Sequence, residues 1–247
     1  VGVHEQLARR ALERARALDT RAEPALDGRR ELIERGAAER ARVVKEFVVD
    51  VFKINSPEGG DKSALQSLPA RMLLEHGASL IESRFSGQVN LQAELFGVVG
   101  GIFVDMGAPE LGTQYAVKQV EVLTTLDAGA EERAEALLLL ARALYDSGRF
   151  GDAEARLRRA LGLAGQDEVL ALRTRVMLAD TLEKLGRLAE CARELAIIDE
   201  TLATRPSTPS ISRARATQVR AKLLIAQNGF ERAVALLKQA AEEAVAV

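Results

Sequence analysis

The chain is short of the residues on which many small folds depend. It has one cysteine, Cys191, so no internal disulfide can staple it. It has no Trp, and aromatics make up 4 % of its 247 residues. Strands favour aromatic and β-branched side chains, so a core rich in Ala and Leu and poor in rings points to closely spaced helices. An excess of one charge is missing too: 34 basic and 36 acidic residues are mixed along the sequence and leave a net −2. Such a chain projects no field that would draw in DNA, RNA or anionic lipid, and nucleic acid is not an expected partner. The longest uncharged apolar run, Leu95 to Val104, has ten residues, against the roughly 20 a spanning helix needs. The opening HEQLARRALERARAL is charged where a secretory leader is apolar. Membrane insertion by this chain is therefore not expected. Opening on Val1, it reads as part of a longer protein.

Chemistry-bearing constellations are scarce as well. His4 and His76 are the only histidines, and neither has a Cys or His at ligand spacing, so no metal is expected. EGGDKS at 58–63 falls short of a phosphate-binding loop: Asp61 stands where the second glycine is needed and Ser56 where the first is. GVVGG at 97–101 has no strand before it and reads as close helix packing, not a dinucleotide fingerprint. Acidic neighbours such as Glu131 and Glu132 belong to solvated helix ends. No cofactor and no catalytic residue is expected, and the chain itself is not read as an enzyme.

What is present is helical periodicity in a chain that is 47 % apolar. A short amphipathic helix over 4–18 ends before Pro24 and Gly28. A longer one over 29–55 carries Ile33, Ala37, Ala41, Val44, Val48 and Val51 on one stripe. INSPEGGDKS then reads as a loop. The spacing predicts one helix over 63–84, disturbed by Pro69 and Gly77. Another over 91–105 is apolar almost all round and so buried on several sides.

Downstream, the segment AEALLLLARALYDSGRFGDAEARLRRALGLAGQD at 134–167 shows two helices meeting at small residues, Ala141 and Ala153, which let backbones approach to roughly 8 to 10 Å. Its pattern recurs at fixed offsets. Gly100, Gly107, Pro109, Gly112 and Gln119 precede Ala141, Gly148, Phe150, Ala153 and Ala160. Then come Ala179, Gly186, Leu188, Cys191 and Ile198, and last Ala221, Asn228, Phe230, Ala233 and Ala240. Gly or Asn in second place suits the left-handed conformation that closes a helix. Cys191 reads as a small buried apolar residue. Gln119 departs most from the pattern. The copies start 41, 38 and 42 residues apart, and RPSTPSISR at 205–213 is the longest connector between helices.

This pattern resembles the tetratricopeptide repeat over roughly 93–247, although the copies are longer than the usual 34 residues. The fold expected is all-α: a tetratricopeptide-like right-handed α-solenoid of about four helix pairs with an N-terminal helical extension. Its parts are an N-terminal helical segment over 1–57, a connector loop and helix over 58–92, and the repeats over 93–247. VVKEFVVDVFKINSP at 43–57, LLEHGASLIE at 73–82 and LQAELFGVVGGIFVDMG at 91–107 resemble the region that follows the catalytic domain in bacterial serine/threonine protein kinases. Neither an HRD nor a DFG motif is present. That resemblance implies the regulatory, sensory or scaffolding region of such a kinase. The sensor region of a bacterial transcriptional regulator and a stand-alone tetratricopeptide adaptor are the alternatives. Localisation is left open between the cytoplasm and, if the kinase resemblance extends to an upstream membrane helix, the extracytoplasmic side.

In a stack of helix pairs the first helices line the concave side, where an extended peptide can lie. The positions projected there are Asp105, Arg142, Tyr145, Arg173, Val176, Asp180, Lys184, Arg215, Gln218 and Lys222. The third and fourth units are net basic on this face, so the expected partner is an acidic or carboxylate-bearing protein segment. The helix over 29–55 is a candidate for pairing with its copy in a homodimer.

Overall fold

The computed structural model of the chain describes Arg42, Glu46 and Phe47, residues 70–204 and residues 210–245. The chain falls into two units, Val1–Gln66 and Ser67–Val247. In the first, Arg42, Glu46 and Phe47 are helical, as the pattern over 29–55 requires, and Arg42 pairs with Glu46 at 3.4 Å. The expected helix over 4–18, the rest of that over 29–55 with its candidate dimer contact, the loop at 54–63, His4 and residues 205–209 of the connector expected over 205–213 lie outside the described residues, while residues 210–213 of that connector are helical.

The second unit holds ten helices and no strand among the described residues. Two short helices come first, α1 (Ala70–Ser79) and α2 (Ile81–Arg84). Eight longer ones follow: α3 (Val89–Asp105), α4 (Pro109–Thr125), α5 (Ala130–Asp146), α6 (Phe150–Leu163), α7 (Glu168–Lys184), α8 (Leu188–Thr204), α9 (Ser210–Ala226) and α10 (Phe230–Val245). These eight pair as four helix hairpins, each first helix also packing on the first helix of the next hairpin. The result is an all-α solenoid. The helices α1 and α2 lie against α3 and start the array, burying Leu74, Ala78 and Ile81.

Of the one helix expected over 63–84, the described part from Ala70 onward is two helices. The break falls at Leu80, not at Gly77. Leu80 N–H donates to the Gly77 carbonyl at 3.1 Å, three residues back, and Ser79 Oγ donates to the His76 carbonyl at 2.7 Å. Both bonds divert groups from the helical ladder and tighten the turn.

Each hairpin closes in the same way. Gly107, Gly148, Gly186 and Asn228 all have left-handed φ, from 62° to 74°. In the second unit Gly148 N–H donates to Tyr145 O and Arg149 N–H to Leu144 O. The other three turns repeat this paired arrangement, which satisfies carbonyls the helix end would otherwise strand.

The small residues of the repeat are buried throughout. Gly100, Ala141, Ala179 and Ala221 lie inside, as do Gly112, Ala153, Cys191 and Ala233. The closest approach is in the first hairpin. A Cβ added at Gly100 would lie 3.3 Å from Ala116 N and from Gly112 O, so α3 and α4 meet backbone to backbone. Phe103 stacks on Tyr115 beside this crossing, with ring centroids 5.5 Å apart. One apolar cluster then runs from Ala134 and Leu157 through Leu178, Leu182 and Ile198 to Ala216 and Leu223, joining the last three hairpins.

Candidate functional site

A groove of about 570 Å³ crosses α5, α7 and α9, the first helices of the second, third and fourth hairpins. Its floor is apolar. Leu138, Val176 and Val219 are buried there, with Leu139 and Met177 half-buried, while Ile211 stands 61 % exposed at one end. Leu139, Met177 and Val219 are 38 and 42 residues apart, the spacings that separate successive hairpins, which is why one face of three helices makes one continuous surface.

Charges rim the floor and form a ladder between neighbouring first helices. Arg142 of α5 reaches back to Asp105 of α3 at 2.5 Å, and Arg173 of α7 to Glu135 of α5 at 2.8 Å. Lys222 of α9 reaches Asp180 of α7 at 2.6 Å. In each pair the cation belongs to the later helix and the carboxylate to the earlier one. Tyr145 adds a fourth link by donating its hydroxyl to Asp180 at 2.9 Å. Burial, then the Asp180 charge and that hydrogen bond, push the Tyr145 phenol well above its ordinary pKa. Phe150 meets the same ring edge-on at 5.2 Å.

Eight of the ten positions projected onto the concave side line this groove: Arg142, Tyr145, Arg173, Val176, Asp180, Arg215, Gln218 and Lys222. Asp105 and Lys184 do not. Asp105 lies at the rim as the partner of Arg142, and Lys184 pairs with its neighbour Glu183 at 3.4 Å. Val176, only 5 % exposed, belongs to the floor. The structure also brings in Glu135, Leu138, Leu139, Asp146, Met177, Ile211, Ser212 and Val219. Their signal in the sequence is their spacing of three, four or seven from the projected residues, which widens a single stripe into a surface.

The ladder changes the charge balance of this face. Arg173 and Lys222 are neutralised by carboxylates from the preceding hairpin, which leaves Arg215 as the groove cation with no ion-pair partner among the described residues. Asp146 is likewise unpaired, and burial raises its carboxyl pKa although Arg142 opposes the shift. Cys191 is fully buried in α8, its thiol pushed up to about 11 by burial, and it packs as a small apolar residue. Among the described residues no cluster of His, Cys, Asp and Glu could hold a metal, and no helix is long and apolar enough to cross a membrane.

The comparisons with known proteins agree with this architecture. Residues 120–176, from the end of the first hairpin into α7, match the tetratricopeptide repeat family. Two solved structures are similar in fold. Both are from Podosopora anserina, described as a kinesin light chain with nearly identical TPR-like repeats, one of them a point variant. The variant superposes with a TM-score of 0.54 and the other with 0.52. Each is 17 % identical over 70 % of this chain and 87 % of its own. No curated protein matches the sequence. The fold is thus a tetratricopeptide-like right-handed α-solenoid.

Proposed function

We propose that this chain is a non-catalytic protein–protein interaction module that takes an extended peptide along the groove of α5, α7 and α9. The observation that carries the reading is the groove itself: an apolar floor built by three successive first helices and bordered by charge. Apolar side chains of a peptide would bury on Leu138, Val176 and Val219, while its polar groups meet the rim. We further propose a carboxylate-bearing ligand. Arg215 is the cation in the groove with no carboxylate of its own, and it stands between Ile211 and Gln218 on α9, where one turn offers both apolar contact and charge. A ligand carboxylate there makes a charge-assisted hydrogen bond without first displacing an internal partner.

The test is an array of random decapeptides probed with the wild type and with Arg215→Glu. The wild type should retain peptides enriched in Asp and Glu next to apolar residues, and the variant should lose that enrichment by about tenfold. Identical retention patterns for the two proteins would overturn the acidic reading.

The setting proposed is the regulatory region of a bacterial serine/threonine protein kinase, supported by the sequence resemblance over 43–57, 73–82 and 91–107. Sequencing the gene upstream of Val1 decides it: a kinase domain supports this setting, while a DNA-binding domain there would favour a transcriptional regulator.

A further inference from the structure

The first and last described hairpins differ in what covers their outer faces. In the first, α1 and α2 cover α3, whereas in the last the outer face of α10 carries an uncovered apolar stripe. Phe230 is 57 % exposed, Val234 51 % and Leu237 42 %. Their counterparts in the second hairpin, at the same offsets from the small residue, are Phe150, Glu154 and Leu157. There Leu157 is fully buried and Glu154 receives Arg187 of the third hairpin at 2.6 Å. The stripe on α10 therefore occupies the face on which, elsewhere in this molecule, the next hairpin sits. In the last described hairpin the position equivalent to Glu154 is Val234, so this face is more apolar than the internal interface it repeats.

We infer that this face pairs with the same face of a second copy of the chain, α10 antiparallel to α10. Charge placement selects this occupant. Glu231 and Lys238 flank the stripe, one on either side of Val234, and line the same shallow depression with Phe230 and Ala235. They are seven residues apart, two turns along one side of the helix. A two-fold axis passing between Val234 and Ala235 sets Glu231 against the partner's Lys238, and by symmetry Lys238 against the partner's Glu231, while the apolar stripes meet between them. The surface is thus complementary to itself. One helix against its copy buries an area at the low end of specific interfaces, so the association is weak and depends on concentration.

Sedimentation equilibrium of the full chain, from about 1 to about 200 µM, tests the pairing. The wild type should shift from monomer to dimer across that range. Val234→Asp should stay monomeric, with an unchanged circular dichroism spectrum because the position is exposed. Glu231→Lys and Lys238→Glu should each weaken association about tenfold by facing like charges, and the double swap should restore it. A monomer at every concentration would overturn the proposal. So would a dimer indifferent to Val234→Asp, or a double swap no better than either single one.

Discussion

At the residue scale, the space around a glycine decides the sign of its replacement. A Cβ on Gly112 would lie 2.4 Å from Val104 Cγ2 and 3.1 Å from Gly100 O. Neither neighbour can yield easily, since Val104 is stiff at χ1 and the other atom is backbone. Overpacking of about 1 to 3 kcal/mol exceeds the helix propensity that Ala gains, so Gly112→Ala should lower Tm. Gly162 lies in α6 with nothing within 4 Å, so Gly162→Ala carries only the propensity gain and should raise Tm. Thermal denaturation of the two variants side by side checks both signs. Gly97 shows a third outcome: Gln119 turns its amide into the space where a Cβ would stand, so the residue departing most from the repeat pattern is matched by an absent side chain across the crossing. The phenols give a pH prediction. Tyr115 and Tyr145 are the only tyrosines, and burial first of all raises both pKa values. An acid with a raised folded pKa keeps its proton while the unfolded chain releases it. Stability therefore falls as pH rises through the unfolded value of about 10. Absorbance at 295 nm should show tyrosinate appearing above that pH, in step with alkaline unfolding, and a full titration centred at 10 in the folded protein would contradict the buried placement.

Helix by helix, stability comes from turns and from links between hairpins. The four left-handed turns place each second helix antiparallel to its first, and Gly148 shows what they require. At φ 74° an added Cβ meets no neighbour, so the cost of Gly148→Ala is conformational alone, about 1 kcal/mol. Chemical denaturation should show that loss with an unchanged m-value, since the surface exposed on unfolding is the same. A loss several times larger would mean that the turn packs against something, contrary to the open space around it. Between hairpins, Arg187 binds Glu154 of the second and Glu190 of its own hairpin, both at 2.6 Å, and hydrogen bonding to Arg187 holds the Glu190 carboxyl below its usual range. The groove ladder of Arg142, Arg173 and Lys222 repeats the device on the concave side, each cation reaching back one hairpin. Side chains that look like a solvated basic face in the sequence are in this way part of how successive hairpins are held in register.

For the molecule as a whole, the parts legible in the sequence were those governed by backbone approach. Small residues at matched offsets and Gly or Asn in the turns located all four hairpins, because a crossing and a left-handed turn each tolerate few residue types. Most of the groove's rim was legible for the same reason, since helical spacing dictates which positions face away from a crossing. Its floor and its charge balance were not. Whether Val176 is a lip or a floor, and whether Arg173 is free or held by Glu135, depends on the stagger between hairpins, which the unequal spacings of 41, 38 and 42 residues do not specify. Phe230 shows the limit from the other side: it matches Phe150 in the pattern, yet it is exposed because no described hairpin packs on it. That dependence on neighbours predicts graded stability. In a linear array a hairpin flanked on both sides is held by two interfaces and a terminal one by a single interface. Hydrogen exchange on the full chain, at a concentration where it is monomeric, should therefore find the slowest amides in α5, α7 and α8, around Leu137, Leu178 and Ile198 in the shared cluster, and the fastest amides of the eight longer helices in α10. Equal protection from α3 to α10 would mean instead that the array opens as one cooperative block, with interfaces much stronger than the hairpins they join.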